Sequence, residues 1–225
     1  MPKERNIAMV NESVARGAKM TQGTADDALF LSGSLALDLV NTEQVVRGKW
    51  HEVLSSPDEL ARWWPEALAH HPEREHVQGE EQVSDWTPDL LDEVKKARRV
   101  LRTLCTHLVE EPVAPEEDLE ALNQMLAMGY PSLQQTSQGM MAAVYRAHDT
   151  QKGALLLSVA LSALRLLTEG ERARLHKCKN ERCSLFFYDT TKSGTRQWCS
   201  LGCMNRSRSS EHYRQIKGQK QSAEA

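Results

Sequence analysis

The chain has 225 residues, 28 Lys+Arg against 31 Asp+Glu, and a formal charge of -3. With 40% hydrophobic and 26% charged residues it is too apolar to be wholly disordered and too polar for a membrane protein. Its longest strongly apolar stretch, Ala154 to Leu167, is interrupted by Ser158, Ser162 and Arg165 and falls short of the roughly 20 residues that a bilayer span requires.

Residues 1–27 are polar, mixed in charge and without periodicity, and are read as a flexible N-terminal arm. They contain no apolar core for a signal peptide, so a cytoplasmic protein is expected. Leu29 to Thr42 is the first apolar segment. Leu31, Leu35, Leu37 and Leu39 fit an alternating strand, whereas Leu35, Leu39 and Val40 fit one face of a helix. Ser56-Pro57-Asp58-Glu59 opens a helix, with Ser56 as cap, Pro57 at the first helical position and Glu59 completing a capping box. Trp63 and Trp64 follow, one expected in the core and one partly exposed, with Pro65 as a kink. Residues 70–85, rich in His, Glu, Gln and Gly, read as a solvated loop.

Thr87-Pro88 starts the clearest helix, whose Leu90, Leu91, Val94, Ala97, Leu101, Leu104 and Leu108 form a stripe at spacings of three and four. Cys105 lies in this stripe and is read as a small buried hydrophobe. A further helix begins near Pro115 and ends at Gly129. Ser132 to Ala147 reads as a β-hairpin turning near Gly139. Ala154 to Glu169 is apolar nearly all round, as expected of a helix at the centre of a core, and Gly170 would end it.

Charge divides the chain unevenly. Residues 1–170 carry 16 Lys+Arg and 26 Asp+Glu, a net -10, and residues 171–225 carry 12 and 5, a net +7. An acidic body joined to a basic tail suggests two modules with different partners. We therefore expect an α+β, mainly helical N-terminal domain with a β-hairpin over 28–170, a small C-terminal zinc domain over 171–220, and a tail from 221.

Five cysteines is an odd number, and four of them cluster near the C-terminus as Cys178-x4-Cys183-x15-Cys199-x3-Cys203. This argues for a metal site over a disulfide framework. Each close pair supplies two thiolates from one turn of chain, and four thiolates satisfy tetrahedral Zn2+. Buried free cysteines and a redox pair are the alternatives, although neither pair has C-x2-C spacing. His176 could replace one thiol. A zinc held by four cysteines has no open coordination position, so it is structural, and its binding could contribute on the order of 10–16 kcal/mol to folding the module. Between the pairs, Ser184 to Asp189 is expected to form one strand, Lys192 to Thr195 a turn, and Arg196 to Trp198 the return strand. Arg182 and Arg196 are candidates to compensate the thiolate charge. From Met204 to Lys220, Arg206, Arg208, Arg214, Lys217 and Lys220 face only Glu211. On a helix, Arg206, Tyr213, Arg214 and Lys217 share a face, a pattern suited to phosphate contact.

Cys203-Met204-Asn205-Arg206, with Asp189, Arg196, Trp198 and Cys199 upstream and Tyr213 downstream, resembles the CGNR zinc finger of bacterial proteins. Methionine stands where that family has glycine, a residue that would serve a positive-φ backbone or a close contact. Leu35-Ala36-Leu37-Asp38-Leu39-Val40-Asn41-Thr42, Leu54 and the Pro57-to-Trp64 helix resemble the ABATE domain that normally precedes the finger. The resemblance implies a stress-induced transcription regulator whose finger binds DNA.

Asp38, Asn41 and Thr42 are polar groups in an apolar segment. They either pin a neighbouring element or line a small-molecule pocket, with Arg47 or Arg146 as an anion partner. No G-x-S-x-G, Walker loop, G-x-G-x-x-G or H-E-x-x-H is present, so no enzyme is expected. The favoured reading is a zinc-dependent DNA-binding regulator, in which Arg206, Arg208, Arg214 and Lys217 engage the nucleic acid, with a ligand- or partner-sensing body. Such a protein often acts as a homodimer. The alternatives are a zinc-stabilised protein-interaction module, and an enzyme with a polar pocket around Asp38 and Asn41.

Overall fold

The structure is a computed structural model and describes residues 30, 32–46, 48–111 and 113–223. The N-terminal arm expected over 1–27, and Arg47, lie outside the described residues.

The ambiguous first segment is a helix, α1 (Leu35–Asn41), and every residue of it is buried. A strand would have exposed every second side chain, whereas a short helix enclosed on all sides hides them all. The hairpin of β1 (Glu43–Val46) and β2 (Lys49–Glu52) follows, with Glu43 opposite Glu52. Helix α2 (Pro57–His70) starts as its sequence dictates: the Ser56 side chain accepts the Glu59 N–H. Both tryptophans are buried, contrary to the expectation that one would be partly exposed, because the Trp64 indole N–H reaches the Glu80 carbonyl at 3.0 Å.

That contact also corrects the reading of residues 70–85 as a solvated loop. The segment contains the short strand β3 (Val77–Gln78) and a 3-10 turn (Glu80–Gln82), and the Glu80 carboxylate is buried. Arg74 pairs with it at 2.6 Å and Ser158 donates a short hydrogen bond to it. A buried carboxylate needs such partners, and they come from residues far apart in sequence.

Helix α3 (Pro88–Glu110), capped by Thr87, buries the expected stripe from Leu90 to Leu104. Cys105 is buried there, and desolvation pushes its thiol up to about 12, so it behaves as an inert hydrophobe. Helix α4 (Glu116–Leu126) leads into β4 (Gly129–Gln135), which pairs antiparallel with β5 (Met141–Ala147) around Gly139, at φ 79°. The hairpin is three residues longer at its start than the sequence indicated, and β3 adds to β5 in parallel. Gly129 is required at this junction, since a Cβ there would lie 2.3 Å from the Arg146 carbonyl oxygen.

Helix α5 (Lys152–Thr168) runs through the centre, buried continuously from Gly153 to Ala163. Among the described residues no helix is long and apolar enough to cross a membrane.

The C-terminal region begins with β6 (Leu175–Lys177) and β7 (Phe186–Tyr188), paired antiparallel with Leu175 opposite Tyr188. This corrects the expected hairpin: β7 takes its partner from upstream of Cys178, and Arg196 to Trp198 form no strand. Alternation along β7 then divides its side chains. Phe186 and Tyr188 join the large core of α1, α2, α3 and α5, whereas Phe187 packs with the cysteines. The long helix α6 (Leu201–Ala223) completes the chain.

Candidate metal centre and nucleic-acid interface

The connection from β6 to β7 carries the first cysteine pair. The Cys178 N–H donates to the Leu185 carbonyl at 2.9 Å and closes the turn at its base. Asn180 organises the interior: its side-chain oxygen accepts the Arg182 N–H, its carbonyl accepts the Cys183 N–H, and its side-chain amide donates to the Cys203 carbonyl at 3.0 Å. One buried asparagine therefore shapes the first knuckle and ties it to the second. Sequence reading overlooked Asn180; its position two residues beyond the first cysteine of a pair was the available signal.

The second pair is set by Asp189 and Ser200. Asp189 is fully buried and accepts the backbone N–H groups of Thr191 and Arg196, both at 2.8 Å. Burial works against its ionisation, but the hydrogen bonds from Thr191 and Arg196 outweigh that and hold the carboxyl below its usual range. The loop between them returns the chain to the metal centre. Ser200 then accepts the Cys203 N–H at 3.2 Å and caps α6, so Cys203 sits at the positive end of the helix.

The four sulfurs converge. Cys178, Cys183, Cys199 and Cys203 place their Sγ atoms within 4.8 Å of one another, with Cys183–Cys199 at 3.7 Å and Cys199–Cys203 at 3.5 Å. A zinc ion with tetrahedral sulfur bonds of about 2.3 Å requires sulfur–sulfur edges of about 3.8 Å. The donor chemistry and the spacing both fit one structural zinc, with no position left for substrate.

Four thiolates on one dication leave two negative charges to offset. Arg206 donates to Cys203 Sγ at 2.8 Å. Arg196 lies over the Phe187 ring, 4.6 Å from its centroid, and donates to the Trp198 and Cys199 carbonyls. It braces the loop carrying Cys199, whereas the Arg182 side chain makes no hydrogen bond or ion pair among the described residues. Met204, in place of the glycine, lies inside α6 with its N–H on the Ser200 carbonyl. A helical backbone there needs no positive φ, so methionine fits.

From Arg208 to Ile216 every residue of α6 is exposed, including Tyr213 at 68%. Arg214 reaches back to Glu181 in the first knuckle. Arg208 falls about 200° round the helix from Arg206, so the basic side chains do not form one face. Lys217 belongs to α6 by its backbone and is placed by helical register alone.

The polar trio of the first segment is internal. Asn41 donates to the Phe186 carbonyl at 2.8 Å and accepts the Phe186 N–H at 2.9 Å, serving as a neighbouring strand to β7. Thr42 bonds the Leu39 carbonyl and accepts from Arg98, which is held by Glu52 through bonds of 2.7 and 2.6 Å. Asp38 accepts a short bond from Ser32 and pairs with His71 Nε2 at 2.5 Å. Burial pushes its carboxyl up, against the opposing effects of His71 and Ser32. Arg146 lies on β5 and bonds none of the three. The structure therefore ties the trio to protein partners and brings His71, which sequence reading passed over, against Asp38.

A helical α+β body closed by a four-cysteine finger, with a long polar helix leaving the metal centre, defines a zinc-finger protein with one structural zinc. Residues 33–170 match the ABATE family model, described as "Putative stress-induced transcription regulator", and the chain belongs to that family. Residues 174–215 match the CGNR zinc finger. No curated protein matches the chain.

Proposed function

We propose that the chain is a zinc-dependent, DNA-binding transcription regulator in which α6 engages the duplex. The observation that carries this reading is the exposed run Arg208–Ile216, rooted at Cys203 in the zinc centre. A helix exposed on all sides over that run gains little from packing within its own chain, and an external partner would give its length a use. The net +7 of residues 171–225 selects a polyanion. Arg208, Arg214 and Lys217 contact phosphates, and Arg206 sets the root of the helix by holding Cys203. Tyr213 stands on the same face as Lys217 by register and offers a flat apolar contact.

The test is fluorescence anisotropy of pooled duplex DNA against the zinc-loaded chain across a salt series. Affinity is expected to fall with salt. The double variant Arg214→Ala, Lys217→Ala should lower the slope of log affinity against log salt by up to about 1.8, or about 0.9 per lost phosphate contact. Absence of binding at low ionic strength, with zinc stoichiometric, overturns this reading and leaves the finger as a protein-docking module.

A further inference from the structure

A cleft of about 440 Å³ opens where the ABATE body meets the finger. Its walls come from the start of α1, the end of α2 and the segment after it, the last turn of α5, and Tyr188 and Thr190 of the finger. That volume lies within the range of about 300–1,000 Å³ typical of small-molecule sites. We propose that this cleft binds a small protonated amine carrying an apolar body, an inference that does not rest on the DNA-binding reading.

The charge of the walls gives the sign. Glu73, Glu75 and Glu169 line the cleft with Arg74 and Arg165. Arg74 is neutralised from behind by buried Glu80 at 2.6 Å. Arg165 is spent within the wall, donating to the Glu73 carbonyl at 2.6 Å and to Glu169 at 3.0 Å. Asp38 adds a further carboxyl behind His71. Carboxylates thus outnumber guanidinium groups, and both guanidinium groups are already engaged. An anion would meet few free donors, whereas a cation would meet Glu75, whose Oε1 lies 3.9 Å from Arg165 and whose buried Oε2 has no hydrogen-bond partner, and the Glu169 oxygen that Arg165 leaves unbonded. A concave site of one charge sign between apolar walls concentrates the opposite charge.

His71 adds a directed acceptor. Its Nε2 is occupied by Asp38 at 2.5 Å, a residue 0% exposed on a helix otherwise apolar except for Asn41. Holding a carboxyl there opposes burial, and its effect is to fix the orientation of the imidazole ring. The Asp38 contact is made through Nε2, which leaves Nδ1 as the ring nitrogen that would accept an ammonium N–H in the neutral, Nε2-protonated ring. Phe30 and Leu166 supply the apolar surface beside it.

The experiment is isothermal titration calorimetry of the full zinc-loaded chain with phenethylamine, phenethyl alcohol and hydrocinnamate, three probes that share one apolar body. The amine is expected to bind about tenfold more tightly than the alcohol, with the carboxylate weakest. Glu75→Gln and Glu169→Gln should each weaken the amine about threefold and leave the alcohol unchanged, while Glu66→Gln, on the exposed side of α2, changes neither. Bound amine should also slow amide exchange at Tyr188 and Thr190. The proposal is overturned if no probe gives saturable heat, if amine and alcohol bind equally, if the carboxylate binds best, or if both glutamine variants match the Glu66→Gln control.

Discussion

Replacing Asn41 with leucine tests whether the finger is built into the body or merely tethered to it. The Asn41 side chain makes two hydrogen bonds to the backbone of Phe186, at 2.8 and 2.9 Å, and both residues are 1% exposed. Leucine matches asparagine in the number and branching of its side-chain heavy atoms, so no cavity opens, although its bulkier methyl groups add an overpacking cost to the loss of the hydrogen bonds. The variant leaves one buried N–H and one buried carbonyl of β7 without partners, at about 1–3 kcal/mol each. The expected destabilisation is therefore about 2–6 kcal/mol, read by urea unfolding of the zinc-loaded chain. For a chain of this size that corresponds to a fall in Tm of roughly 5–20 °C. Zinc should also be released at a lower chelator concentration, because binding is linked to the folded state of the finger. A destabilisation below about 1 kcal/mol, with unchanged zinc retention, would refute the view that Asn41 substitutes for a strand beside β7.

Cys199→Ser should reduce bound zinc from one per chain to near zero by elemental analysis. Hydrogen exchange should then accelerate across residues 196–203 and α6, while Phe186 and Tyr188 remain protected by the main core. Loss of the body's own unfolding transition would contradict that division. Glu52→Gln removes the carboxylate that grips buried Arg98, with an expected cost of about 3 kcal/mol at neutral pH in denaturant titrations. Burial opposes Glu52 ionisation, but Arg98 prevails and the folded pKa is lowered from 4.5. Its contribution is thus fully present above 4.5 and is lost as pH falls through the lower folded value. The gap between wild type and variant should narrow over that window, and a gap independent of pH would remove Glu52 from the acid response.

What could be read from the sequence follows from how locally each feature is determined. The helices at Ser56-Pro57 and Thr87-Pro88 carry their caps within four residues, and α5 declares itself by being apolar on every side. The zinc centre was legible for the same reason, since each thiolate pair sits within one turn of chain. The strands β6 and β7 were not, because three residues carry no period, and the choice of partner was settled by packing against the body. Asp38 and Glu80 could not be interpreted alone. Their partners lie 33 residues away at His71 and 78 away at Ser158, and a buried carboxyl is explained only by what it meets.

The division of labour along β7 shows how the body could govern the finger. Phe186 and Tyr188 are committed to the large core, the Tyr188 N–H is bonded to the Ser32 carbonyl, and Asn41 holds the strand edge. The strand is therefore a fixed part of the body. Helix α6 is not, since Arg208 to Ile216 are exposed and its ties run through the metal centre, Asn180 and Glu181. Tyr188 is followed by Asp189, whose carboxylate sets the loop leading to Cys199, and α6 starts just beyond at Leu201. The cleft beside Tyr188 lies at the start of that chain of contacts, and α6 lies at its end.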